Sequence, residues 1–269
     1  MLRPRRILPM STAAPRPLPE NAGLCFQGER VALSASIPPK MAERMLGTRN
    51  PNGKSNADVL RQLATAPAGR RPAVHWLIDF PLHMGEREAS LYEHPFHHLH
   101  RTLRPSRNRW WVNPHADERL RVALAQRERY LATPVGSNPP DWQWFDSTIL
   151  PDATLLAVAR DDDFTHGILS ARPFALWWQR FNSRHDPTLA VSSYPFPWPP
   201  GTLLSALDKT QEEHRHAIAR AARTADPAAL HRAVAAAYGW PADLDAPGEL
   251  EHLLALHRQR AQGNLSING

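Results

Sequence analysis

Cysteine is almost absent from this chain, Cys25 being the single one in 269 residues. A lone thiol excludes an intrachain disulfide framework and suits a reducing, cytoplasmic setting. Long apolar runs are absent as well. Hydrophobic residues make up 42% of the chain, yet no run approaches the roughly 20 residues that cross a bilayer. The expectation is a soluble protein with no membrane partner. Lysine is scarce: nearly all of the 32 basic residues are arginine, against 26 acidic ones, for a net charge of +6. Arginine favours bidentate contact with phosphates and guanine edges, although an excess this small does not by itself define a nucleic-acid partner. The length suits one large domain, or a domain with a small appendage, with a substantial core in either case.

What is present is punctuated by proline. The opening MLRPRRILPM carries the charge of a signal-peptide start, but proline-rich residues 11–20 stand where an apolar segment would have to follow. Residues 1–20 therefore read as a disordered basic tail. Gly23 to Ser36 reads as strand material and Pro38 to Leu46 as a short helix opened by prolines. A turn-rich segment, GTRNPNGKSN, precedes the run Val74 to Phe80, a buried strand by its β-branched and aromatic content. Gly85 to Leu103 is helical with a kink or split near Pro95, and Asp117 to Gln126 is a second helix. RYLATPV and WQWFDSTILP are short strands about the turn GSNPPD, and Thr154 to Arg160 is another buried strand. Asp161, Asp162 and Asp163 then open a helix running to Phe181, with a break expected at Pro173. Beyond YPFPWPPG the composition turns to Ala, Arg, His and Glu, and helices fit at about 203–224, 227–237 and 248–261. The expected class is α+β: a mixed or antiparallel sheet flanked by helices over 21–200, then a small all-helical tail over 201–269.

Several segments, taken in order, resemble one family. They are GKSNADVLR (Gly53 to Arg61), HWLIDF (His75 to Phe80), EASLYEHPF (Glu88 to Phe96), RYLATPV, the run Leu150 to Arg172, and YPFPWPPG, with AVAAAYGWPADL (Ala233 to Leu244) in the tail. Their order and gaps are similar to those of the MmeI-like target-recognition region of type IIG restriction–modification enzymes and related large DNA adenine methyltransferases. The segment between Arg129 and Leu150 departs from that pattern. The resemblance implies a module that holds double-stranded DNA and reads its bases while a catalytic domain flips out the target adenine. It implies a methyltransferase or endonuclease catalytic chain as partner. S-adenosylmethionine, and any Mg²⁺, would belong to that partner, with no cofactor or metal in this chain.

The chain lacks what methyl transfer requires. There is no glycine-rich turn after a first strand to approach S-adenosylmethionine. Asn138-Pro139-Pro140 imitates the loop that grips a flipped base, but Asp141 replaces its aromatic and Trp142 falls one place too far. An ordinary turn is the simpler reading. His94, His97, His98 and His100 share helical spacing that could offer metal ligands, or could form a partly exposed face touching phosphates. The Asp161 to Asp163 triplet lacks the following lysine of a nuclease motif and reads as a helix cap.

Candidate DNA contacts are therefore sought among the cations. RTLRPSRNRWW places Arg101, Arg104, Arg107 and Arg109 beside Trp110, joining phosphate neutralisation to a stacking surface; the alternative is a solvated loop over a buried tryptophan pair. Lys54, Asn56 and Arg61 form a second candidate, or a structural turn. Arg172, Arg180 and Arg184 form a third, along the end of the main helix. Two further readings stay open: a protein-interaction domain without DNA affinity, and a metal hydrolase built on the histidines.

Overall fold

The computed structural model describes residues 14–66, 72–103, 108–241 and 243–263. Its first sheet is antiparallel throughout, in the order β1 (Cys25–Gln27), β8 (Leu155–Val158), β5 (Arg129–Pro134), β6 (Gln143–Asp146). Strands β5 and β8 sit in the middle and are covered on both faces. Alternation sends Leu131, Leu156 and Val158 to one side, and Tyr130, Ala132, Leu155 and Ala157 to the other. The second sheet runs β2 (Ser36–Ile37), β4 (Ala73–Ile78), β3 (Leu60–Thr65), β7 (Leu150–Pro151), its last pairing parallel. The fold is α+β as the sequence implies, with two small sheets where the sequence suggested one.

Helices cover these sheets where the sequence places them. Pro39 opens α1 (Pro39–Leu46), which packs with the second sheet. The stretch 85–103 divides into α2 (Glu86–Ala89) and α3 (Glu93–Leu103), the division falling ahead of Pro95 so that the ring sits in a first turn, where its missing N–H costs nothing. Asp117 caps α4 (Glu118–Ala125), accepting from the amides of Arg119 and Leu120. Asp162 caps α5 (Asp163–Ser170) by accepting from the Thr165 amide. The break expected at Pro173 comes at Ala171, which takes an extended conformation between α5 and α6 (Arg172–Phe181).

After a short α7 (Leu189–Ser192), the tail forms α8 (Lys209–Thr224), α9 (Pro227–Ala237) and α10 (Ala246–Gly263). The first of these starts later than its periodicity suggested, because Asp208 and Gln211 close a capping box there. Ile218, Leu230, Val234 and Leu253 enter the same core as Phe164, Ile168, Phe174 and Trp177, so the tail helices complete the apolar layer over the first sheet.

Two expectations need correction. Gly23 to Ser36 is strand only at Cys25–Gln27 and at Ser36: at Gly28 the Asp152 backbone comes so close that a Cβ would lie 2.1 Å from its carbonyl oxygen, and Leu33–Ala35 forms a single helical turn. The first 13 residues of the expected tail lie outside the described residues, but residues 14–20 are packed rather than free. Leu18 is buried and donates its amide to Ser192, and the Arg16 carbonyl is 2.9 Å from His257 Nε2.

Candidate nucleic-acid interface

Between the two sheets lies an ionic group that sequence reading passed over. Arg121 of α4 donates from Nε and Nη2 to the Glu29 carboxylate at 2.6 and 2.7 Å, and from Nη1 and Nη2 to Asp79 at 2.9 and 3.0 Å. Both carboxylates are buried, and Glu29 also accepts from Asn113 and from the Asp117 amide. Burial opposes the charge on Arg121, but the hydrogen bonds to Glu29 and Asp79 outweigh it and hold its pKa above the usual guanidinium range. These residues are scattered in sequence, and only the fold joins them.

The first group of sequence candidates divides. Asn56 is fully buried: its Nδ2 donates to the Met45 carbonyl at 2.7 Å and its Oδ1 accepts from Asn50 at 2.9 Å. It fixes the turn and is not available to a ligand. Lys54 is exposed and paired with Glu88 at 3.2 Å. Arg61 lies 3.3 Å from Asp79 on an open pocket of about 430 Å³. Asp58, Asp79 and Glu118 outnumber Arg61 and Arg121 on that pocket's wall, so it does not favour a phosphate.

In the second group, Arg104 and Arg107 lie outside the described residues. Trp110 is a core residue, 7% exposed, with its ring 4.8 Å from Phe96 and 5.2 Å from His100; it offers no stacking face, and the buried alternative is the one realised. Arg101 and Arg109 are exposed at the end of α3 and just beyond it, Arg109 in the left-handed region at φ 55°. His94, His97 and His100 are exposed on α3, while burial pushes the pKa of His98 below the usual imidazole value. Among the described residues, no group of three His, Cys, Asp or Glu side chains is arranged to hold a metal.

The third group also divides. Arg172 grips the buried Glu249 of α10 at 2.8 and 3.0 Å and the Leu244 carbonyl at 2.7 Å, so it latches the tail to α6. Arg180 and Arg184 are exposed at the end of α6, Arg180 lying over the Phe181 ring. Arg101, Arg109, Arg180 and Arg184 form no ion pair among the described residues. Beside the α6 pair, the Asn138-Pro139-Pro140 segment forms the expected turn, with Asn138–Pro139 cis. Its Ser137 carbonyl accepts from Trp178 Nε1 at 2.8 Å and from Asn182 Nδ2 at 3.3 Å.

These features define an α+β fold with helices toward its C-terminus and with exposed arginines at helix ends that pair with no acidic side chain among the described residues. No family model matches the chain, and no curated protein matches it. Among solved structures it is similar to the type IIL restriction-modification enzyme MmeI in complex with DNA, at a TM-score of 0.61 and 12% identity, over 92% of this chain and 37% of that one. The likeness is one of fold, and this chain spans about 37% of the length of that enzyme.

Proposed function

We propose that this chain is the DNA-reading module of a type IIG-like restriction–modification system directed at N6 of adenine. It acts in the cytoplasm with a catalytic methyltransferase or endonuclease part that supplies the S-adenosylmethionine site. The observation that carries the reading is the likeness of 92% of the chain to an enzyme solved with DNA. Exposed arginines without acidic partners are what such a role requires, since phosphate contacts hold a reader in register while other side chains read the bases.

The test is a titration of fluorescent duplex DNA with the purified chain at about 50 and 200 mM salt. A reader that neutralises several phosphates loses affinity by orders of magnitude over that range, with a slope of about −0.9 per phosphate in log–log form. Arg180→Gln together with Arg184→Gln is expected to weaken binding to all sequences alike and to make the slope shallower by roughly 1 for each phosphate no longer neutralised. Folded protein that binds no duplex at either salt overturns the proposal.

A further inference from the structure

We infer that the loop 135–142, with Gln143 at the start of β6, is the base-reading element, presenting Asn138, Asp141 and Gln143 to base edges while Arg180 and Arg184 hold the flanking phosphates. The inference rests on the DNA-reading role proposed above and says where on the molecule it is performed.

A reading element needs hydrogen-bonding side chains that point outward, a backbone that does not move, and cations beside it. The loop's backbone is pinned from below by groups with no freedom of their own. Trp178 and Asn182 of the α6 end both donate to the Ser137 carbonyl. The Thr133 hydroxyl accepts from the Asp141 amide at 3.0 Å and is 3.1 Å from Ser137 Oγ. Trp178 and Thr133 are both fully buried. Gly136 supplies the positive φ of 79° that turns the chain outward. Asn138 and Asp141 then stand exposed, and Gln143 Nε2 donates to Asp141 Oδ2 at 2.9 Å, which fixes the orientation of both.

The chemistry of these three suits base edges. An amide side chain matches the paired donor and acceptor of adenine in the major groove, and a carboxylate accepts from the amino group of cytosine. Arg184 adjoins the loop: its Nε lies 3.9 Å from where a Cβ on Gly136 would stand. β6, into which the loop runs, ends its sheet, so this rim is not covered by another described strand. The other basic surfaces lack one of the three requirements. Near α3 the tryptophans are buried and the exposed Asn108, beside Arg109, makes no hydrogen bond among the described residues that would fix it, and in the turn before β3 both Asn50 and Asn56 are buried.

The experiment is selection from a random duplex pool with the full chain, comparing wild type with Asn138→Ala, Asp141→Asn, Gln143→Ala and Arg184→Gln, each confirmed folded by its melting curve. The expected result is that the first three change the selected sequence or weaken preference at one position by roughly tenfold or more. Arg184→Gln should lower affinity for every sequence and leave the selected one unchanged. Loop variants that select the wild-type sequence with wild-type affinity overturn the inference while leaving DNA reading in place, whereas a wild-type chain that binds DNA without sequence preference overturns the reading role itself. A folded wild-type chain that binds no duplex overturns the proposed function itself.

Discussion

Arg121 joins two buried carboxylates that belong to different sheets, Glu29 beyond β1 and Asp79 beyond β4. Removing one partner of such a group leaves buried charge uncompensated, which costs about 3–5 kcal/mol. Arg121→Met is expected to lower the urea midpoint accordingly. Neutralising the whole group with Glu29→Gln and Asp79→Asn in the same chain should recover part of the loss. Neighbouring polar residues differ just as sharply in what they do. Asn56→Ala should cost about 1–3 kcal/mol, because it strands the buried Met45 carbonyl and Asn50 amide. It should leave the DNA affinity of the folded protein unchanged, whereas Lys54→Gln at its exposed pair should alter stability by less than about 1 kcal/mol. Equilibrium unfolding and a duplex titration on the same preparations check both statements. Sequence cannot make this distinction, since Lys54, Asn56 and Arg61 lie within eight positions of one another and only the fold decides which side chain turns inward.

Elements were far more legible than side chains. The helix capped by Asp117 and the break near Pro173 follow from local chemistry and stand where that chemistry puts them, and the expected strand Val74 to Phe80 is realised as Ala73–Ile78, buried only toward its end. The strand expected through Gly23 to Ser36 is realised only at Cys25–Gln27 and Ser36, and the close approach of the Asp152 backbone at Gly28, which no local pattern announces, comes from a residue distant in sequence. Likewise, loop 135–142 reads only as a turn in the sequence, because the groups that pin it sit on α6. Close approach between elements also fixes Gly167 of α5. A Cβ there would stand 2.6 Å from Ile218 Cγ2, 3.2 Å from Leu230 Cδ1 and 3.3 Å from Ala222 Cβ, on the tail helices α8 and α9. Gly167→Ala is therefore expected to destabilise by about 1–3 kcal/mol through overpacking, outweighing the ~1 kcal/mol that alanine adds as a helix former. In an Ile218→Ala background most of that penalty should vanish, and a double-mutant cycle by chemical denaturation reads the coupling.

At the scale of the whole molecule, the helices after residue 200 share a core with α5 and α6 and are latched to them by Arg172 and Glu249. Body and tail should therefore unfold together, in one transition seen alike by tryptophan fluorescence and far-ultraviolet circular dichroism. Acidity should weaken that single transition. Burial holds the pKa values of His98 and His166 below the ordinary 6.5, so the unfolded chain takes up protons that the folded chain refuses. For a histidine lowered in this way, full stability is present above the ordinary value and is lost as pH falls from there toward the folded value. The raised carboxyl of Asp152, again through burial, acts with the opposite sign at lower pH, so the window from about pH 7.5 to about 5.5 isolates the histidines. His166 is the more informative of the two, since its ring lies 5.5 Å from Trp144 and the Arg129 guanidinium covers the same indole. Thermal melts across that window should show the midpoint falling with pH in the wild type and falling less in His166→Gln, which carries no titrating ring. A variant that loses as much stability as the wild type would show that His166 does not set the response.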